Sequence, residues 1–312
     1  MEIASRSKVI HRLAVVNAAA TVFLLVAGGL VTSKGAGLAV PDWTTTFGYN
    51  PFLYPWSKMV GNIFYEHSHR LIASAIGLST VALAVVLWLK EPRPWVRRLG
   101  VAAVALVVAQ GVVGGLRVVL LEQTLAIVHA CLAQAFFALA VSLALFTSDG
   151  WTAEPRREKT PDAERLQRVA LITTLLIYCQ IVFGAVLRHS GEMLALHLLF
   201  AALVSLHVIL LSMRVLTRHG AKRDLARPAA YLGALLFAQL ALGLGAYVGK
   251  FVMTLPAVLT LALRTGHVVV GALMLAASLV LTLKSFKVFS RGMVADAGVA
   301  VSPAPGSEGV SA

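Results

Sequence analysis

The sequence predicts an all-α integral membrane protein in which eight transmembrane helices form two pseudo-symmetric four-helix bundles. Three observations carry this. The chain is 58% hydrophobic and only 13% charged, whereas soluble domains carry about 25% charged residues. Its apolar residues gather into eight runs of the length needed to cross a bilayer, roughly 20 residues for about 30 Å of hydrocarbon. Histidines then recur at related places in the two halves of the chain. The mean hydropathy of +0.82 agrees with this class. The two-residue alternation of a membrane β-barrel, the other structure that can span, is absent.

The eight runs are Leu13–Val31, Leu71–Leu89, Leu99–Leu116, Thr124–Thr147, Val169–Leu187, Met193–Met213, Pro228–Val248 and Thr265–Leu283. The first is too long for a signal peptide and lacks an evident cleavage site, so it is expected to be a retained anchor. A long outer loop over residues 32–66 follows, rich in Gly, Pro and aromatic residues (Pro41, Trp43, Tyr54, Pro55, Trp56) whose rings suit the headgroup layer. His69 opens the second span. The third carries Gln110-x-x-x-Gly114, and the fourth carries His129 near its start. A linker with mixed charge, Pro155 and Pro161 separates the halves. The fifth span carries Gln180-x-x-x-Gly184, the sixth His197, the seventh Gln239-x-x-x-Gly243, and His267 opens the eighth. The predicted organisation is an N-terminal half over 1–147, a cytoplasmic linker over 148–168, a C-terminal half over 169–287, and a disordered cytoplasmic tail over 288–312, small and polar in composition.

The formal net charge of +13 sets orientation rather than nucleic-acid binding. With the N-terminus inside, 20 of the 27 Lys and Arg residues fall in inner segments. The outer remainder is Lys34, Lys58, Arg70, Arg117, Arg188, Lys250 and Arg264. That asymmetry follows the positive-inside rule and places both termini in the cytoplasm of a multi-pass cell-membrane protein. Cys131 and Cys179 both lie within predicted spans, so no disulfide staples an outer loop. They read as small buried apolar residues.

Nine histidines occur, and four of them, one on each even-numbered span, lie within one or two turns of the outer end. Four even helices share one direction, so His69, His129, His197 and His267 are expected in one layer beneath the outer surface. Four helices separate equivalent elements, which makes the two halves a parallel repeat about the membrane normal. Paired imidazoles in a bundle core are a common way to hold haem iron. The repeat pairs His69 with His129 and His197 with His267. Zinc would favour four converging ligands, often with Cys or carboxylate, and copper would favour added Met or Cys. Cys131 faces well away from His129 on its helix. His207 lies deeper, without counterparts. His11 and His219 fall at the cytoplasmic surface, His189 at the interface, and His67 points away from His69.

The halves differ at one place. Glu66 precedes His69 by three residues and shares its helix face, whereas Met193-Leu194-Ala195-Leu196-His197 has no such carboxylate. Glu66 is either a catalytic group beside a cofactor or a helix cap. The asymmetry suggests one reactive half and one half with a fixed haem. Arg70 and Arg264 flank His69 and His267, either as haem propionate partners or as interfacial snorkels. The three Gln-x-x-x-Gly elements admit a close backbone or macrocycle approach, or are ordinary small-residue packing. The first span has Gly28 and Gly29 without the Gln.

Glu66-x-x-His69-Arg70, His129, His197 and His267, with Gly28-Gly29-Leu30-Val31, Gly35-Ala36-Gly37-Leu38 and Pro41-Asp42-Trp43, resemble the haem A synthase family of cytochrome oxidase assembly enzymes. The resemblance covers about residues 10–287. It implies eight spans in two halves and oxidation of the C8 methyl of haem O to a formyl group, giving haem A. It implies haem O as substrate at His69 and His129 with Glu66 near the methyl, and haem b as cofactor at His197 and His267. The implied partners are the lipid bilayer, haem O and an enzyme that produces it. The electron acceptor is not named by the sequence, and a homo-oligomer is compatible with it. Two departures stand out. Many family members place a cysteine pair in the first outer loop, which here has none, and Leu198 follows His197 where the first half has Arg70. The competing readings are a di-haem b-type electron carrier and a non-enzymatic haem-handling protein.

Overall fold

The computed structural model describes residues 2–153 and 158–291, with side chains over 8–153 and 158–289. Among these residues eight helices are long and apolar enough to cross a membrane. They are α1 (Glu2–Ser33), α2 (Gly61–Lys90), α3 (Pro94–Val119), α4 (Gln123–Phe146), α5 (Ala163–Ser190), α6 (Leu194–Arg218), α7 (Arg223–Phe251) and α8 (Ala257–Val288). The protein is an all-helical, multi-pass membrane protein. Large apolar side chains such as Phe23, Leu78, Leu199 and Phe237 are exposed on its surface, where a bilayer, not water, is the matching solvent.

Six helices contain their expected apolar run and extend past it at both ends, while Thr147 caps the end of α4 and Met193 the start of α6, one residue outside each. Hydropathy marks only the hydrocarbon thickness, while the backbone ladder continues into the polar flanks. Two expectations change as a result. His69 lies two turns beyond Gly61 and His267 nearly three beyond Ala257, so neither opens its helix. Glu66 is not a cap either. The N-cap of α2 is Val60, and its first turn holds no acidic residue.

Within residues 2–146, α1 packs on α2 and α4, and α3 packs on α2 and α4. Within residues 163–288 the same cycle joins α5, α6, α7 and α8. One core cluster fills the first group, built on Ile10, Ile76, Leu83, Leu87, Val96 and Phe136. Another, including Leu166, Val208, Leu211, Leu232 and Leu281, fills the second. α1 and α4 meet α8, and α4 meets α5, at the join. There Leu25, Phe137 and Ala272 form a third cluster.

The linker is more ordered than its composition suggests. A one-turn helix covers Asp149–Thr152. Strand β1 (Glu158–Thr160) then pairs in parallel with β2 (Phe289–Arg291), beyond α8. Residues 288–291 therefore belong to helix and strand, and the rest of the expected tail, 292–312, lies outside the described residues, as do Arg156 and Arg157. Asp162 gathers Arg214, Arg218 and His219, the last two at 3.0 Å. Burial alone would raise its carboxyl, but the hydrogen bonds from His219 and Arg214 and the charges of Arg214 and Arg218 hold it below its ordinary value.

Three further expectations are corrected. His219 is buried in that ion cluster, and His11 docks on α4, 3.1 Å from the Ala144 carbonyl. Both were placed at the surface because sequence position gives depth but not the neighbour across the bundle. Cys131 is half-buried and Cys179 exposed, because a lipid-facing thiol has the same sequence signature as a core one.

Candidate functional site

Each of the four layer histidines rests against a glycine on a neighbouring odd-numbered helix. A Cβ added to Gly114 would lie 2.8 Å from His129 Cε1 and 3.1 Å from Nδ1. At Gly184 it would lie 3.1 Å from His197 Cε1, and at Gly243 it would lie 2.9 Å from His267 Cε1. At Gly28 it would lie 3.2 Å from His69 Nε2. The glycines are therefore seats for imidazoles.

The spacing of Gln and Gly explains what each seat offers. In a helix the carbonyl of residue i accepts the N–H of residue i+4. With glycine at i+4, no Cβ screens that carbonyl, and its second lone pair can take another donor. His267 Nδ1 donates to the Gln239 carbonyl at 3.2 Å. Gln180 Nε2 lies 3.1 Å from His197 Nδ1, and the Gln110 amide nitrogen, once turned, lies 3.3 Å from His129 Nδ1. Two of the glutamines also reach the main chain of their histidine. Gln180 Nε2 donates to the His197 carbonyl at 3.0 Å. With its amide turned to satisfy both ends, Gln110 donates to the His129 carbonyl at 3.1 Å and accepts Ala133 N–H at 3.0 Å. Gln239 Nε2 lies 3.4 Å from His267 Nε2. Donation from Nδ1 selects the tautomer whose Nε2 lone pair is free for a metal.

His197 and His267 face each other, with ring centres 6.2 Å apart and planes at 69°. A metal–imidazole bond of about 2.0–2.1 Å gives two opposed rings on one metal a centre-to-centre distance of about 6 Å. The donor set is thus one facing pair, His197 with His267, and two further imidazoles, His69 and His129, seated on glycines of α1 and α3. Among the described residues no group of three or more His, Cys, Asp or Glu forms a cation site. Paired neutral imidazoles seated on glycine fit an iron porphyrin, which needs two axial nitrogens and flat clearance between helices.

Glu66 is buried, and each of its carboxylate oxygens accepts one hydrogen bond. Its Oε1 accepts Arg70 at 2.8 Å and its Oε2 accepts the Val40 N–H at 2.9 Å. Arg70 also donates to the carbonyls of Val40 at 2.9 Å, Asp42 at 2.7 Å and Thr45 at 3.2 Å. The pair therefore straps the outer loop over the first half. Arg70 spends these bonds on loop carbonyls, whereas the Arg264 guanidinium makes no hydrogen bond among the described residues. His67 is buried under the loop, 3.1 Å from Thr46 Oγ1 and with its ring 5.0 Å from that of Tyr54. Trp43 lies over Gly115, where a Cβ would penetrate the indole. Asp42 accepts Phe47 N–H at 2.8 Å, Gly48 N–H at 2.9 Å and the Thr45 hydroxyl. Its slight burial would raise its carboxyl, yet these bonds hold it at about 2.

Two arginines that the sequence marked only as outer charges also reach the layer. Arg117 donates to the Gly37 carbonyl at 2.7 Å and feels the charge of Glu66. Arg188 joins the two halves, donating to Gly29 O at 2.9 Å, Ser33 Oγ at 2.7 Å and Arg264 O at 3.2 Å. Their positions just after Gly114 and Gly184 were the available signal.

The model of the COX15-CtaA family, described as cytochrome oxidase assembly protein, matches residues 11–197, more than half of the chain. The chain belongs to the COX15-CtaA family. The Heme A synthase of Shouchella clausii (strain KSM-K16) is 27% identical over 192 residues, which cover 60% of this chain and 62% of that relative. The COX15-CtaA match takes in Glu66, His69, Arg70 and His129 and ends on His197. Arg264 and His267 lie beyond it, so their assignment rests on the geometry above.

Proposed function

We propose that this protein oxidises the C8 methyl of haem O to a formyl group, giving haem A for cytochrome oxidase assembly. The observation that carries the reading is the combination of four glycine-seated imidazoles with a buried Glu66–Arg70 pair in the first half alone. Membership of an oxidase-assembly family and similarity to a relative named Heme A synthase support it. His69 and His129 would hold the substrate haem, and His197 and His267 a resident haem b. When bound, haem b supplies one-electron redox chemistry to the membrane site.

The chain's own residues do the rest. The glycine seats fix the ring planes, and the imidazoles would hold the iron. The loop strapped by Glu66 and Arg70 shields the first half from bulk water. The Glu66 carboxylate retains free lone pairs beside its two donors. It would take up protons as the methyl loses hydrogen, or stabilise positive charge at that carbon. Arg264, whose guanidinium makes no hydrogen bond among the described residues, would be available to a propionate, while Arg70 is committed to the loop. The two four-helix groups act as related copies with both termini in the cytoplasm of the cell membrane, in keeping with the distribution of Lys and Arg.

The test is mass analysis of haems extracted from cells that make haem O, with and without this protein. A formyl-bearing haem that depends on the protein is the expected result. Unchanged haem O together with two bound haem b groups would replace this reading with that of an electron carrier.

A further inference from the structure

The four seats are not equal. Gly114, Gly184 and Gly243 each follow a glutamine by four residues, and each faces the Cε1 and Nδ1 edge of its histidine. Gly28 follows Leu24, which packs with Ile72 in the apolar core of the first half. His69 turns its Nε2 and Cδ2 edge toward Gly28, at 3.2 and 3.6 Å from an added Cβ. It makes no hydrogen bond among the described residues. Three imidazoles are therefore each held by a glutamine of the facing helix, and one is held by packing alone.

We propose that Gln110, Gln180 and Gln239 are positioning residues that lock His129, His197 and His267, and that unlocked His69 is the ligand that releases haem. This deepens, and rests on, the reading of the first half as a substrate site. A substrate must enter and leave, so one of its axial bonds has to open repeatedly. A resident cofactor must stay, and both of its ligands are locked. An imidazole held by a hydrogen-bonding partner keeps its orientation toward the metal, and loss of such a partner weakens metal binding by roughly tenfold or more. His69 has no such partner, so its bond to iron is the weakest of the four. The side chain at position 24 decides this, because a glutamine there would lie where the other three do.

The experiment uses the full chain in lipid nanodiscs, loaded with haem b as the probe, with apomyoglobin in excess as the acceptor. Release is followed in the Soret band, and the low-spin iron signals by electron paramagnetic resonance. The wild type is expected to lose haem in two phases, with His197→Ala abolishing only the slow one. Leu24→Gln is expected to slow the fast phase about three- to tenfold, the worth of one added hydrogen bond, and to leave the slow phase unchanged. Gln180→Leu and Gln239→Leu are expected to speed the slow phase roughly tenfold and to shift its low-spin signal, with the melting midpoint of the haem-free protein unchanged. A fast phase indifferent to Leu24→Gln, or slow-phase rates and signals indifferent to both glutamine replacements, overturns this inference and leaves the proposed function standing. A wild type that takes up no haem in low-spin form overturns both.

Discussion

A single methyl group separates a seat from a blocked seat. Gly243→Ala would bring a Cβ to 2.9 Å from His267 Cε1, and Gly114→Ala to 2.8 Å from His129 Cε1. Rings pressed this hard must tilt, and overpacking of this kind costs about 1–3 kcal/mol. Loss of low-spin haem absorbance from the affected half, with the other half intact, is the expected outcome. Glu66→Gln keeps the volume of the side chain and removes the charge opposite Arg70. Haem content should persist while formation of the formyl product falls by about 10²–10⁴-fold, the usual contribution of a proton-transfer group. Full product formation by that variant would remove Glu66 from the chemistry. Asp42 titrates in the outer loop. Its folded value of about 2 lies below the ordinary 3.8, so its stabilising contribution is complete above about pH 4 and disappears as pH falls toward 2. Proteolysis of the loop in intact vesicles should rise across that window in the wild type, and Asp42→Asn should remove the dependence.

The loop between α1 and α2 behaves as an element in its own right. Ala36, Val40, Thr46 and Tyr54 are buried beneath it, so its path is fixed by packing as well as by the Arg70 strap. Gly61 starts α2 at φ +55, a conformation in which a side chain costs about 1–2 kcal/mol. Gly61→Ala should therefore lower the melting midpoint without touching any histidine. Arg70→Ala frees three carbonyl contacts and unpairs Glu66, and removing one partner of a buried ion pair costs about 3–5 kcal/mol. Hydrogen exchange should then rise through residues 38–48 far more than in α3 or α4. This element was the least legible part of the sequence. Arg70 read as a propionate partner because its sequence neighbours are His69 and Glu66, whereas its actual acceptors are main-chain carbonyls, whose positions depend on a loop path that no periodicity encodes. The glutamine seats were legible as an i, i+4 repeat. Their purpose was not, since a helix pattern gives the face of a residue but not what presses against it.

For the whole molecule, hydropathy located all eight spans because bilayer thickness imposes a length on each, and it misjudged their ends because polar flanks extend a helix at little cost. Apart from the long loop between α1 and α2, the helix order within each half follows from short connections, which make successive helices antiparallel neighbours. The join between halves was not legible, as it rests on Arg188 reaching across to α1 and on clearance at Gly29. Chains cut between Thr152 and Glu158 and coexpressed should reassemble, since each half owns a core cluster. Arg188→Ala should reduce recovery of the paired fragments, because two bonds across the join are lost.

Gly28 and Gly29 sit side by side on α1, and successive helical residues point about 100° apart. The first therefore looks onto His69, while the second meets Thr265, two residues before His267. One short piece of backbone forms a wall of two rooms. Any sideways adjustment of α1 at His69 is therefore felt at Thr265 too, so the packing of the two halves is coupled at this dipeptide.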